Sequence, residues 1–246
     1  MCGGEMKESQ HAAVRVLSKV TSATGCERNW GAHRWMWNAK RNRLKPEKAF
    51  LPELKKLLPD DDIQHVKFAK GGQPIRKWVK NFDEISAKSQ LSPRKDAGAF
   101  YDQTLKVART SITANKPKTI TFLWMQGERD AKEKLSAAYE ESMNTLIANL
   151  RKDLNAPEMN FVIGRLSDFS TAEHWEAVRA AQVKVAKDDS RGSWVDTDDT
   201  NNKVKNGKAH NDLHYTKEGY DLFGQRLARQ PVLLIKGEEP DSKGQP

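Results

Sequence analysis

The chain has 246 residues, of which 37% are hydrophobic and 30% charged, which indicates a polar, soluble globular protein with one sizeable core or at most two small ones. No apolar run approaches the roughly 20 residues that span a bilayer, and two cysteines are too few for a disulfide scaffold or a four-cysteine zinc site. The formal charge of +9 is concentrated near the N-terminus, where residues 1–48 contain ten Lys or Arg and four Asp or Glu.

Residues 1–43 differ from the rest of the chain in composition. They contain both cysteines and three of the seven tryptophans, and show neither a helical nor an alternating pattern. We therefore predict a basic, poorly ordered segment with no strand before Arg41. It lacks the apolar core of a signal peptide, so no signal peptide is readable here and the localisation stays open. A basic nucleic-acid-binding tail is the weakest functional alternative, since no basic stripe or binding motif follows, and we expect no nucleic-acid or membrane partner.

From Pro46 onward, helical and alternating patterns take turns along the chain. The predicted elements are a helix over about 47–58, a strand over 63–69, a helix over 100–114, a strand over 118–124, a helix over 133–150, a strand over 159–165, a helix over 174–187, a strand over 193–197 and a helix starting near Thr216, with Thr216 as its N-cap. Strands separated by single helices form right-handed crossovers and a mostly parallel sheet. We therefore predict one α/β domain over 44–236 and a disordered tail over 237–246.

Polar loops follow the four predicted strands. They are Gly71-Gly72-Gln73, Gln126-Gly127-Glu128, Arg165-Leu166-Ser167-Asp168 and Asp196-Thr197-Asp198-Asp199. Ligands of parallel sheets bind beyond the carboxyl ends of the strands, so we expect these loops to converge on one cleft. The aspartates of the last loop suggest a cation site, but no further ligand spacing supports one, and we predict no metal or other cofactor.

Residues suited to acyl transfer follow these strands. His214, with Asn211 and Asp212 just before it, is the base half of a nucleophilic hydrolase, while the backbone N–H of Gly72 and the amide of Gln126 are suitable donors for an oxyanion. Each also has a plainer explanation: a glycine pair forms turns, the loop after Trp124 caps a helix, and a histidine packs under a tyrosine. Their occurrence together favours a catalytic site.

Three blocks, AKGGQPIRKW, TFLWMQGERDA and NDLHYTKEGYDLFGQRLA, resemble successive blocks of the SGNH-type carbohydrate esterases, specifically the sialate O-acetylesterase group. The resemblance covers about Leu44 to Leu234. It implies a three-layer α/β/α sandwich with a mostly parallel, flavodoxin-like sheet. It also implies removal of acetyl esters from sugars through a serine nucleophile without a metal, so an acetylated carbohydrate is the expected partner.

The resemblance also implies residue roles. His214 would be the base, Gly72 and Gln126 would belong to the oxyanion hole, and Glu128 would be a carboxylate that orients neighbours or substrate. The family's acid lies three residues before the histidine, at Asn211 here. Since an asparagine cannot stabilise an imidazolium by charge, the candidates for the acid are Asp212, which we favour, Asp198 and Asp199.

Four further residues are candidates for substrate binding because they stand in or beside the same loops: Gly71, Gln73, Arg76 and Arg165. The two arginines either meet an acidic sugar or pair with acidic side chains.

The family's Gly-Gln-Ser-Asn motif, which carries the nucleophile after the first strand, is absent. Its expected position reads Ala39-Lys40-Arg41-Asn42, and no serine lies between Ser22 and Ser86. We predict that the family's first strand is missing or replaced. We hypothesise that about the first forty residues are encoded in a shifted frame, which resequencing the gene would test. Two functions stay open: an acetylesterase-like serine hydrolase and an inactive relative that binds acetylated glycans.

Overall fold

The computed structural model describes residues 11–20, 46–205 and 207–243, and for 11–20, 205 and 208–211 it describes the backbone alone. The strands in this part of the chain are β1 (His11–Val20), β2 (Asp62–Gly71), β3 (Thr119–Met125), β4 (Asn160–Gly164), β5 (Gly192–Val195), β6 (Asn202–Lys205) and β7 (Lys208–Asn211). The α-helices are α1 (Glu47–Leu57), α2 (Phe82–Lys88), α3 (Tyr101–Asn115), α4 (Glu128–Lys132), α5 (Ser136–Asp153), α6 (Glu173–Lys187) and α7 (Lys217–Lys236), with a 3-10 helix over Ile75–Trp78.

Every element predicted after Pro46 is present, but four short ones were not predicted: the 3-10 helix, α2, α4 and the β6–β7 hairpin. The helix predicted over 133–150 begins only at Ser136. Lys134 has a φ of +58°, a left-handed conformation that ends the preceding turn and separates α4 from α5. Hydrophobic spacing does not report such a break, because the break lies just before Leu135, the first residue of the apolar stripe.

The main sheet has the strand order β2-β1-β3-β4-β5. β3, β4 and β5 are parallel to one another, and β1 is antiparallel to both β2 and β3. This is the predicted α/β class with the flavodoxin-like strand order. The prediction of no strand before Arg41 was wrong: β1 fills the slot between β2 and β3. Its sequence, HAAVRVLSKV, alternates Val14 and Val16 with Arg15, a signal that the atypical composition of the segment obscured.

Helices cover both faces of the sheet and form three layers. Phe122, Trp124 and Phe161 belong to a core cluster with α3, α5 and α6 on one face, whereas Leu123 and Val162 pack with α1 and α7 on the other. Neighbouring residues of a strand therefore enter opposite cores, as the twofold alternation of a strand requires. Burial of both faces explains why these strands are continuous apolar runs.

Helix α7 attaches the last loops to the sheet. The side chain of Thr216 accepts a hydrogen bond from the backbone N–H of Gly219 at 2.8 Å, the N-cap that the sequence predicted. A Cβ on Gly219 would lie 1.9 Å from the carbonyl oxygen of Thr200, so glycine allows α7 to approach the β5–β6 loop. Beyond α7, the carbonyl oxygen of Ser242 accepts from the backbone N–H of Asp196 at 2.7 Å. The division into segments 1–43, 44–236 and 237–246 stays a prediction.

None of the helices in the described ranges combines the length and apolar character needed to cross a bilayer.

Candidate active site at the carboxyl edge of the sheet

Side-chain hydrogen bonds connect the loops that follow β2, β3 and β4. The amide nitrogen of Gln126 donates to the carbonyl oxygen of Gln73 at 3.0 Å, which joins the β3 loop to the β2 loop. Gln182 of α6 donates to the carbonyl oxygen of Gln126 at 2.7 Å and accepts from the backbone N–H of Leu166 at 2.8 Å. It thereby joins the β3 loop to the β4 loop.

Asn201 extends this chain of contacts to the histidine loop. Its amide nitrogen lies 3.1 Å from the Oγ of Ser167 and 3.0 Å from the carbonyl oxygen of Asp212. The backbone N–H of Thr216 donates to the carbonyl oxygen of Thr200 at 3.0 Å, so the start of α7 is held to the same loop. The loops that the sequence predicted at one edge of the sheet are therefore connected to one another by hydrogen bonds.

Gln126 is the centre of this network and is almost fully buried, with 2% of its surface exposed. One amide hydrogen is directed at Gln73, and the amide nitrogen also donates to the carboxylate of Asp130. The backbone carbonyl oxygen of Gln126 accepts from the hydroxyl of Tyr139 and from the amide of Gln182, each at 2.7 Å. Both hydrogens of the Gln126 amide are therefore engaged within the protein.

Glu128 has a buried carboxylate with one free oxygen. Its Oε2 accepts from the backbone N–H of Gly127 at 3.0 Å, the N-cap position of α4, whereas Oε1 is buried and has no partner among the described residues. Burial raises the pKa of Glu128, against the effect of the backbone N–H groups. An unpartnered buried oxygen is uncommon in folded proteins and marks a group available to a ligand or water.

His214 is partly exposed and lies beside Asp212. The Oδ1 of Asp212 accepts from the backbone N–H of His214 at 3.0 Å and lies 3.5 Å from its Nδ1. Lys203 donates to the other carboxylate oxygen at 2.9 Å. Burial opposes the ionised form of Asp212, but the His214 N–H and Lys203 outweigh it and lower the pKa of Asp212 to about 2. A charged carboxylate therefore stands next to the imidazole at neutral pH.

A family model described as carbohydrate esterase, sialic acid-specific acetylesterase, matches residues 8–232. The chain belongs to this carbohydrate esterase family. The match spans the main sheet and the connected loops, and it confirms the resemblance that the three sequence blocks carried. A comparison with curated proteins finds no match.

The three aspartates that are candidates for the acid of an esterase have different partners in the structure. Asp198 is bound by Arg179, with contacts of 2.8 and 3.0 Å, and Asp199 by Arg226, with contacts of 2.6 and 2.8 Å. Only Asp212 of these three is described in contact with His214. The side chain of Asn211, the family's usual position for the acid, lies outside the described residues, as does the stretch 39–42.

Arg76 and Arg165 pair with acids, the second of the two alternatives for them. Arg76 is 8% exposed and donates to Asp96 at 2.7 Å and to Glu133 at 2.6 Å. Arg165 donates to two aspartates of the β5 loop, each at 2.7 Å, and its guanidinium stacks 4.7 Å above the ring of Trp194. Neither guanidinium is directed freely at a carbohydrate in this arrangement.

The β2 loop contributes exposed backbone at the edge of the sheet where the candidate site lies. Gly71 is the last residue of β2, and its carbonyl oxygen accepts from the side chain of Gln73 at 3.1 Å, which closes the turn. Gly72 is exposed and has a φ of +63°, a left-handed conformation that favours glycine. The space where its Cβ would stand is empty, so a substrate carbonyl has room to approach the backbone.

Sequence reasoning missed four residues that hold this site together: Asp130, Gln182, Asn201 and Lys203. Gln182 is a fully buried polar residue on the apolar face of α6, which is a recognisable signal. Asp130 stands four residues after Gln126 within a block already singled out. Asn201 and Lys203 had no comparable signal, because their partners come from turns that sequence patterns do not specify. Among the described residues, no group of three His, Cys, Asp or Glu side chains is arranged to hold a metal.

Proposed function

We propose that this chain is a carbohydrate O-acetylesterase in which His214 is the general base and the connected loops bind an acetylated sugar. The observation that carries the proposal is the contact between His214 and the charged Asp212, in loops connected to those of Gly72 and Glu128. A base oriented by a carboxylate, with a backbone donor nearby, is the arrangement that acyl transfer needs.

The nucleophile differs from the family's serine, since Ala39-Lys40-Arg41-Asn42 stands where the motif is expected. We propose that water takes its place. His214 removes a proton from the water as its oxygen attacks the acetyl carbonyl, and the backbone N–H of Gly72 stabilises the oxyanion. Collapse of this intermediate breaks the ester bond, returns the proton to the sugar oxygen and releases acetate. In subtilisin, loss of the nucleophilic serine lowers kcat about 10⁶-fold, so we expect slow turnover.

Hydrolysis of p-nitrophenyl acetate by the purified chain tests this function. We expect slow turnover without an initial burst, insensitive to a fluorophosphonate, and abolished by His214→Ala. The matched control is His174→Ala, because His174 is also partly exposed but is paired with Ser136 at 2.8 Å on α5. Equal loss of turnover in both variants, or labelling of a serine by the fluorophosphonate, contradicts the proposed mechanism.

A glycan-binding relative without activity is the second candidate. It is favoured by the engagement of both Gln126 amide hydrogens within the protein, which leaves that side chain no donor for an oxyanion. Titration calorimetry with an O-acetylated sialoside distinguishes the two candidates. Binding without any His214-dependent turnover supports the binding protein, whereas turnover lost in His214→Ala supports the esterase.

A further inference from the structure

Asp130 is a buried carboxylate that the proposed mechanism does not use. It lies in α4 and its residue surface is fully buried. Its two oxygens accept from the backbone N–H of Ile75 at 3.0 and 3.2 Å, and one of them also accepts from the amide of Gln126. A buried carboxylate is costly unless it is hydrogen-bonded, so these contacts account for its presence.

The contacts of Asp130 close a ring around the β2 loop. Gln126 donates to the carbonyl oxygen of Gln73 on one side and to Asp130 on the other. Asp130 in turn accepts from Ile75, two residues after Gln73 and three after Gly72. The segment just after Gly72 is therefore hydrogen-bonded at two residues, Gln73 and Ile75. The contact between Gln126 and Asp130 connects these two hydrogen bonds and completes the ring.

We propose that Asp130 is the positioning residue of the oxyanion site, and that it acts through Gln126 and Ile75 to hold the Gly72 backbone in place. Gln126 is then a support for the β2 loop, and the donor to the oxyanion is the backbone N–H of Gly72. This inference rests on the proposed function, because the ring positions an oxyanion donor only if the backbone N–H of Gly72 binds the ester of a substrate.

Several charged and titratable groups surround Asp130. Arg76 of the 3-10 helix favours its ionised form, while Glu133, just after α4, opposes it. Tyr139 of α5 lies close enough for the charge of Asp130 to contribute to the raised pKa of its hydroxyl. Burial raises the pKa of Asp130 to about 7, against the hydrogen bonds from Gln126 and Ile75. The contacts of the ring should therefore change within an accessible pH range.

Nuclear magnetic resonance of the full chain between pH 4 and 9 tests the inference without any need for turnover. We expect the side-chain amide of Gln126 and the backbone N–H groups of Ile75 and Gly72 to shift with one common midpoint. In Asp130→Asn this common shift should be lost. The matched control is Asp83→Asn, because Asp83 also accepts a backbone N–H, that of Arg94 at 2.9 Å, but on α2. It should leave the common shift intact.

Kinetics provide a second readout of the same variant. If the esterase function holds, Asp130→Asn should lower kcat by about tenfold or more with little change in KM, because a displaced oxyanion donor weakens the transition state more than substrate binding.

The inference is overturned if the Gln126, Ile75 and Gly72 signals of the wild-type chain shift with different midpoints or do not shift. Since this comparison uses the unmodified chain, it decides the matter even where Asp130→Asn does not fold. A chain that shows the common shift but no turnover retains the ring and loses the proposed function, so the two failures are separable.

Discussion

Gly127, between Gln126 and Glu128, is a glycine for two reasons: its backbone conformation and the close approach of α6. Its φ of +151° belongs to backbone that favours glycine. A Cβ at this position would lie 2.7 Å from the Cγ1 of Val178 and 3.1 Å from the amide nitrogen of Gln182. Glycine therefore allows α6 to come close enough for Gln182 to hydrogen-bond the carbonyl oxygen of Gln126. The loop that delivers the candidate site residues depends on the absence of one side chain.

Gly127→Ala should lower the free energy of unfolding by about 2–4 kcal/mol, because it adds backbone strain and a clash with α6. Urea unfolding measures the change. Gly237→Ala is the matched control, since Gly237 also has a positive φ, of +72°, but open space around its Cβ position. If both variants lose the same stability, crowding against α6 is not what requires glycine at residue 127.

The β6–β7 hairpin is the element that places Asp212 beside His214. Its two strands are joined by Asn206-Gly207, a sequence typical of tight hairpin turns, and Asn202 is paired with Asn211 at its open end. Asp212 follows directly, and Lys203 of the first strand reaches back to its carboxylate. The hairpin therefore positions Asp212 in two ways. Asp212 directly follows the second strand in sequence, and its carboxylate forms an ion pair with Lys203 of the first strand.

Lys203→Met should raise the pKa of Asp212 from about 2 towards its ordinary value, because it removes the ammonium group that stabilises the carboxylate. Carboxyl carbon chemical shifts followed against pH report this change. Lys118→Met serves as the control, since Lys118 precedes β3 and so lies at the opposite edge of the sheet. An unchanged pKa of Asp212 in Lys203→Met would show that the ion pair contributes nothing in solution.

The direction of β1 distinguishes the whole molecule from a uniformly parallel sheet. Its first residue, His11, is paired with Gly71 at the edge where the candidate site lies, and its last residue, Val20, is paired with Asp62 at the other edge. A parallel strand in this slot would end where β1 begins. A serine placed directly after β1 would therefore start from the edge opposite His214, which agrees with the loss of the family's nucleophile motif.

Stability against acid is a property of the whole chain. Among the residues that the structure describes, six carboxylates have a pKa below the ordinary value: Asp96, Glu133, Asp189, Asp198, Asp199 and Asp212. Burial opposes ionisation in each of them, but hydrogen bonds from arginine, lysine or backbone groups outweigh it. Because their pKa values are lower folded than unfolded, the unfolded chain binds more protons as the pH falls, and the stability they contribute is lost.

We therefore expect the urea midpoint to fall steeply as the pH decreases from about 4 towards 2. Glu128 and Asp130 act in the opposite sense, since their raised pKa values cost stability as the pH rises above about 4, and for Asp130 this cost accumulates up to about pH 7. Asp130→Asn should make the midpoint less dependent on pH in that upper range while leaving the acid limb unchanged. An acid limb that disappears in this variant would contradict the assignment.

Predictions from the sequence succeeded where a local pattern reports a local structure. Thr216 was predicted as an N-cap and is one, and the apolar run ending at Met125 is a buried strand. They failed at β1, where the alternation of Val14 and Val16 was present but the composition was misleading. At the candidate site, the preference for Asp212 followed from charge alone, and its contact with His214 agrees with that preference.

By itself, the sequence determined the α/β class, the polar loops at the strand ends and the carbohydrate esterase family, because apolar periodicity and short motifs depend on neighbouring residues. The direction of β1, the engagement of the Gln126 amide and the ring through Asp130 were decided only by the tertiary structure. The direction of β1 depends on its pairing with β2 and β3, and the ring depends on hydrogen bonds between residues 53 and 55 positions apart. Such pairing is set by packing of the whole core and leaves no local pattern.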